Sequence, residues 1–270
     1  MNMSFYVGAL GADASQKKMD VISNNLANIN NNGYKAKNAI FSELINYNLN
    51  DSPEARTELQ AGAGTTVVRT NTEHGTAAFM STGQPNDYAI GMDHAFFKLQ
   101  DPKSGAISYT RNGHFHIGEF PDGKFYLLTE SGKHVLDEKG EKMLANESGL
   151  KMLADAAKQG QDRENNLYEN ENEEESIEEK RQKVGVYTLT YPSRLVNKGD
   201  NEFAVRAGDT QNVDKAVENP VLEEGTLERS GTDMAKEMTR LIESQRAFSY
   251  ALKMVQTSDE VEGTINQLRG

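Results

Sequence analysis

Polar and apolar positions repeat along this chain with two different periods, and the change of period divides it into three. Toward the C-terminus, Met234, Met238, Leu241, Phe248, Leu252 and Val255 recur in steps of three, four and seven. That is the stripe of a long helix with a coiled-coil seam. The stripe breaks at Gln245, and beyond Val255 it slips to Val261, Ile265 and Leu268. Thr232 or Ser230 is placed to cap this helix, with Asp233 in its first turn. Glu237 stands three residues before Arg240, and Glu243 three before Arg246, so charges are expected to lace its outer faces. Near the N-terminus, Met19, Ile22, Leu26 and Ile29 form a second seam, preceded in phase by Phe5, Gly8, Ala12 and Ser15. That helix stops in the patch Asn28–Gly33, whose Asn and Gly residues tolerate the left-handed conformation of a helix end. A long helix with one apolar stripe is not stable alone, so the economical reading packs the two together.

Between the helices the period falls to two. Short β-branched and aromatic runs at 66–69, 89–90, 95–99, 107–111, 114–117, 124–128, 184–191 and 201–206 read as strands. Turns lie between them at Ser81-Thr-Gly, Asp101-Pro, Arg111-Asn-Gly, Pro121-Asp-Gly and Ser131-Gly. Strands at this density without intervening helices predict an antiparallel sheet. The expected fold class is α+β: paired, coiled-coil-like terminal helices flanking a central all-β domain. The expected divisions are 1–30 (N-terminal core helix), 31–64 (linker and mixed segment), 65–215 (β-domain, interrupted by an acidic insertion at 141–183) and 216–270 (C-terminal core helix). From Asp162 to Glu179 nine of the residues are acidic, which predicts a solvated loop or a helix polar all round.

Composition narrows the function. Apolar residues make up 36% of the chain, which suits a high surface-to-core ratio. A net charge of −12 argues against nucleic acid, since phosphate binding needs a basic face. No apolar run approaches a membrane span, and the first residues lack the basic and apolar regions of a cleaved signal. With no cysteine there are no disulfides and no thiolate metal sites. His114 and His116 alternate and could share a face, but no third ligand stands at a recognisable spacing, so a solvated or structural role is expected. The acidic run lacks a calcium-loop pattern, and no nucleophile elbow, phosphate loop or dinucleotide fingerprint is present. The expectation is therefore no cofactor, no metal and no catalysis. The alternatives of another class are a soluble coiled-coil adaptor carrying a β-domain and a metal-dependent enzyme using His114 and His116.

Three stretches, in order, resemble one family. Ile22-Ser-Asn-Asn-Leu-Ala-Asn-Ile-Asn-Asn-Asn-Gly-Tyr-Lys35, followed by Phe41, is the first. The second is Ser81-Thr-Gly-Gln-Pro-Asn-Asp-Tyr-Ala-Ile-Gly, then Ala95-Phe-Phe, then Tyr109-Thr-Arg-Asn-Gly-His-Phe115. The third joins Gly225-Thr-Leu-Glu-Arg-Ser to Glu237-Met-Thr-Arg-Leu-Ile-Glu-Ser-Gln-Arg-Ala-Phe. Together they resemble the axial proteins of the bacterial flagellum, the rod and hook basal-body family. Asn32 stands where that family usually has Thr, and Ser230-Gly-Thr where it usually has Ser-Asn-Val.

The resemblance implies a structural subunit of the basal-body rod, passing torque from motor to hook, with a hook or hook-junction subunit as the alternative. Length favours the rod. It implies export through the flagellar secretion channel without a cleaved signal, location in the basal body, and partners that are copies of the chain, other axial proteins and the export apparatus. Met19, Ile22, Asn25, Leu26, Asn28, Ile29, Gly33, Tyr34, Leu241, Arg246, Phe248, Leu252 and Val255 are the residues expected to carry self-assembly. Asn25 and Asn28 have two readings, helix-terminating turn residues or hydrogen-bonding groups between subunits, and Arg246 is either a surface partner of Glu243 or an intersubunit contact. Met234, Met238 and Met254 are expected to be core packing.

Overall fold

The computed structural model describes residues 3–44, 47–48, 60–121, 123–145 and 183–269. The acidic run at 162–179 lies outside these. The fold is α+β, with a helix at each end of the chain and antiparallel strands between. It divides into two compact units.

The first unit comprises Met1–Ile29, Lys35–Glu73 and Thr232–Gly270. Its helices are α1 (Met3–Ala27) and α2 (Met234–Arg269), roughly 38 and 54 Å long at 1.5 Å per residue. They pack antiparallel: Ser4 hydroxyl lies 2.8 Å from that of Ser258, and Asn25 reaches Glu237 at the other end. Asp233 caps α2, its carboxylate accepting from the backbone N–H groups of Ala235 (2.9 Å) and Lys236 (3.2 Å). The cap expected at Thr232 or Ser230 thus falls one to three residues later, on the side chain that best matches an N-terminal dipole.

The same unit holds a long hairpin. Lys37–Glu43 pairs antiparallel with Thr65–Thr72, with an irregularity between Ile40 and Phe41, and Tyr47–Asn48 pairs with Gln60–Ala61. The strand expected to open the β-domain at residue 65 therefore pairs with a segment read from sequence as mixed linker. The hairpin lies along α1, where Gly64, at φ +101°, would set a Cβ 3.4 Å from Leu10.

The second unit comprises Asn30–Tyr34 and His74–Gly231. Its main sheet is antiparallel throughout. Ala95–Gln100 is central: one edge pairs with Ile107–Thr110, and the other is shared by Val186–Leu189 and His134–Val135. Glu202–Ala204 and Val196–Gly199 extend one side; Phe125–Leu128 and His116–Glu119 extend the other. The alternation of Ala95-Phe-Phe-Lys-Leu sends Phe97 and Leu99 into a core with Tyr88, Ile90, Phe115, Leu127 and Val186, and Phe96 into a second cluster with Tyr109, Leu189 and Phe203. Two short ladders complete the unit, Leu222–Glu224 on Tyr88–Ile90 and Thr226–Glu228 on Phe79–Ser81. Leu222–Glu224 and Thr226–Glu228, which the sequence reading places in the C-terminal helical segment 216–270, are thus strands of the sheet unit.

Candidate functional site: the helix faces and the motif node

The helical pair has a regular seam, but not the one apolarity suggests. Contacts at Ser4–Ser258, Gly8–Val255, Gly11–Ala251 and Asn25–Glu237 fix the register. With alternating steps of four and three, that register runs 237, 241, 244, 248, 251, 255, 258 on α2 against 25, 22, 18, 15, 11, 8, 4 on α1. Glycine, alanine and serine fill half of it. A Cβ on Gly8 would sit 3.0 Å from Val255, so the helices approach closely there. Ser15 and Ser244 satisfy their own hydroxyls by donating to the carbonyls of Gly11 and Arg240, 2.8 Å each.

Of the residues expected in the helix seams, Ile22, Leu241, Phe248 and Val255 are buried or half-buried in the real one. Met234, Met238 and Leu252 are not in it: they are 51, 47 and 41% exposed. Gln245 does not interrupt the seam, because position 244 occupies it. Met238 and Leu252 stand immediately after seam positions 237 and 251 and border one side. Met254, Val261 and Leu268 border the other, and all are exposed. The slip past Val255 is the apolar pattern crossing from one flank to the other. Ile242, Tyr250 and Ile265 add exposed apolar surface, as do Met3, Phe5 and Tyr6 on α1. Glu237 likewise departs from expectation: it is 3% exposed, inside the seam, with Arg240 Nη1 2.9 Å from its Oε1. Glu243 and Arg246 are exposed; Met19, Leu26, Asn28 and Ile29 are half-buried.

Asn25 is fully buried and makes a two-sided backbone clamp. Its Nδ2 donates to the Lys37 carbonyl (2.8 Å) and its Oδ1 accepts from the Lys37 N–H (2.9 Å), which pins the root of the hairpin to α1. Asn28 donates back to the Asn24 carbonyl at 2.7 Å, a local helix-end bond.

In the second unit the three motif stretches meet at one buried point. Arg111, 1% exposed, donates through Nε to Glu228 Oε2 (2.8 Å) and through Nη1 to the carbonyls of Met92 and Ala95 (2.7 Å each). Its Nη2 donates to Thr76 Oγ1 (3.2 Å) and, at 3.4 Å, to the Ile90 carbonyl and Glu228 Oε1. Glu228 Oε1 also accepts from the Ala77 N–H at 2.7 Å. Gly33 lies on this node: its N–H donates to the Glu228 carbonyl (2.7 Å), and the Tyr34 carbonyl accepts from the Gly231 N–H (2.9 Å). At φ +67°, a Cβ on Gly33 would stand 2.5 Å from the Arg111 carbonyl carbon. Gly113 is tighter still, with a built Cβ only 1.7 Å from the Tyr88 carbonyl oxygen. Sequence reasoning quoted Arg111 and Glu228 within motifs but gave them no role; a charged residue of each sign inside otherwise strand-forming motifs was the available signal.

A further link reaches the surface. Asp93 accepts from the Thr76 N–H (2.7 Å) and hydroxyl (2.8 Å), bonds that hold its carboxyl below the ordinary carboxylate value. Burial pushes the Tyr187 phenol up to about 12 and Tyr109 upward as well; Asp137 and Asp214 add to the first effect and Asp214 to the second. The two histidines of the metal alternative are differently engaged: His114 Nδ1 lies 2.7 Å from Asp87 Oδ1, while His116 opens a strand with its side chain exposed. Among the described residues no group of three His, Asp or Glu could hold a metal, and no helix is long and apolar enough to cross a membrane.

Comparison with known proteins matches both ends to flagellar families. Residues 5–35 match the family described as flagella basal body rod protein, and residues 223–268 match the C-terminal family of the flagellar basal body rod FlgEFG proteins. The flagellar basal-body rod protein FlgG of Bacillus subtilis (strain 168) is 29% identical over 273 residues, covering 97% of each chain. FlgG of Borreliella burgdorferi is 29% identical over 296 residues, covering 100% of this chain and 99% of its own. The flagellar hook protein FlgE of the same organism is 30% identical over 156 residues, but only 53% of this chain and 34% of that protein align. The two end matches fall on α1 and α2, and the full-length likeness runs through the node between them: the chain belongs to the flagellar basal-body rod protein family, with rod subunits of the FlgF and FlgG type.

Proposed function

We propose that this structural rod subunit assembles through the outer flanks of its terminal helices, with copies of itself and with other axial proteins, into a helical tube that transmits torque from motor to hook. One observation carries this reading. Half of the intramolecular seam is glycine, alanine and serine, while Met238, Leu252, Met254, Val261 and Leu268 of α2 border it and are exposed. Exposed apolar surface of this extent favours burial against another surface. The flanks differ along the helix, with Met238 and Leu252 on one side and Met254, Val261 and Leu268 on the other. A helix patterned in this way meets one neighbour with its first half and a different neighbour with its second, and contacts that do not close build a filament. Leu252 belongs to this surface, as do Arg246 and the half-buried Met19, Leu26 and Ile29. Asn25 supports it from within the helical unit, whereas Gly33 and Tyr34 belong to the node of the sheet unit. Export through the flagellar channel accords with this role.

Deleting residues 232–270 tests the reading, because it removes α2 but keeps the Thr226–Glu228 strand and its Arg111 pair. The shortened chain is expected to retain the sheet unit and to be absent from purified basal bodies, in non-swimming cells. Normal incorporation of that chain would refute the proposal.

A further inference from the structure

The helical pair has a seam poor in register information. Gly, Ala and Ser at 4, 8, 11, 15, 244, 251 and 258 present shallow, near-equivalent surfaces, and Leu241, Phe248 and Val255 recur at heptad spacing on α2, so sliding one helix by a heptad exchanges like for like at most seam positions. Large complementary side chains normally forbid such a slip. Here a polar chain at one end does something else. Glu237 is buried at a seam position, and its Oε2 accepts from Asn25 Nδ2 at 3.4 Å. Its Oε1 accepts from Arg240 Nη1 at 2.9 Å. The same Arg240 nitrogen donates to Asn38 Oδ1 at 2.9 Å, and Asn38 in turn donates to Glu73 Oε1. Asn25 holds the Lys37 backbone on both sides, and the Glu73 N–H donates to the Ala36 carbonyl at 3.0 Å. Four segments are thereby linked: the end of α1, both roots of the hairpin and the start of α2.

We infer that this Asn25–Glu237–Arg240–Asn38–Glu73 chain is the register key of the helical pair. A heptad slip would carry Glu237 and Arg240 together to a place opposite Lys18 or beyond the end of α1, and would break both bonds that cross to α2, Asn25–Glu237 and Asn38–Arg240. Losing these directional bonds at a buried site costs more than exchanging one small residue for another, so one polar cluster selects one alignment from several. Single buried polar residues set register in coiled coils by the same means. The consequence for function rests on the proposed assembly surface. Register decides how far α2 extends past α1, and hence at what height Met254, Val261 and Leu268 are offered.

The chain has no cysteine, so register can be read by disulfide trapping in the purified full-length protein. Ser4→Cys with Ser258→Cys reports the native alignment, since the two hydroxyl oxygens are 2.8 Å apart. Ser4→Cys with Ala251→Cys, or with Ile265→Cys, reports a slip of one heptad either way. The native pair is expected to cross-link at least tenfold more than either slipped pair. Glu237→Leu, which adds apolar contact and should keep helix content by circular dichroism, is expected to cut that preference to under threefold. Glu237→Gln keeps an acceptor for Asn25 and Arg240 and is expected to restore most of it. Undiminished native preference in Glu237→Leu would overturn the inference and leave register to the chain connections. Equal yields in the parent chain would overturn it too. Both readouts come from the monomer, so they stand apart from failure of the assembly proposal, which is scored by incorporation into basal bodies.

Discussion

The two units of this protein bury their large apolar residues to different extents. The sheet unit encloses its largest side chains, Phe96, Phe97, Tyr88 and Leu99, and it encloses the ion pair Arg111–Glu228 with nearly every polar atom engaged. The helical unit packs only Ile22, Leu241, Phe248 and Val255 among glycine, alanine and serine, and leaves Met238, Leu252, Met254, Tyr250, Phe5 and Tyr6 exposed. Hydrophobic burial drives folding, so the first arrangement is complete within the chain. The second leaves that driving force unused until another surface covers it. On the proposed assembly, the difference separates a unit built to hold its shape from one built to be joined.

The largest effect that could break this contrast lies at the node. Arg111→Ala or Glu228→Ala leaves its partner charged, buried and alone, and is expected to cost about 3–5 kcal/mol of sheet-unit stability. Denaturant unfolding followed by near-ultraviolet circular dichroism measures it, and a loss under 1 kcal/mol would show the node is not closed. Alkaline pH comes next. The buried Tyr187 donates to the Asp137 carbonyl, and its phenol ionises near 12 in the fold against about 10 in the unfolded chain. Its contribution is intact below pH 10 and is lost as the pH rises from there through 12. The sheet unit should weaken over that range by on the order of 2 kcal/mol, and Tyr187→Phe should flatten the profile. Gly33→Ala follows, at about 2 kcal/mol from the left-handed backbone and the contact with Arg111. The smallest effect sharpens the helical side. A Cβ on Gly11 would stand 3.7 Å from that of Ala251, ordinary contact, whereas one on Gly8 would stand only 3.0 Å from Val255. Gly11→Ala should therefore stabilise the pair by roughly 0.5–1 kcal/mol through helix propensity, and Gly8→Ala should gain less or lose. Thermal melts of the two single variants decide it.

Much of the fold was legible because period and composition changed together. Two long helices and the strands around Ala95–Gln100, Ile107–Thr110, Phe125–Leu128 and Val186–Leu189 follow from pattern alone. The seam of α2 was not, because periodicity weighs apolarity. Met238 and Leu252 score as core although they lie outside, and Ser244 and Ser258 score as surface although they are buried. Close helix approach inverts the usual code. The hairpin at 37–72 was half-read, since the partner of Thr65–Thr72 is a strand of ordinary polar composition. The node was quoted motif by motif, but only the fold shows that Gly33, Arg111 and Glu228 touch, from positions some two hundred residues apart at the extremes.

The most direct test of the central claim is a double substitution on one outer flank, Met238→Asp with Leu252→Asp. Incorporation into purified basal bodies and swimming would be scored beside the thermal unfolding of the purified chain. The account predicts an unfolding temperature within about 2 °C of the parent, since both side chains are exposed, together with loss of incorporation and of swimming. A variant that folds as the parent does and still swims normally would contradict it.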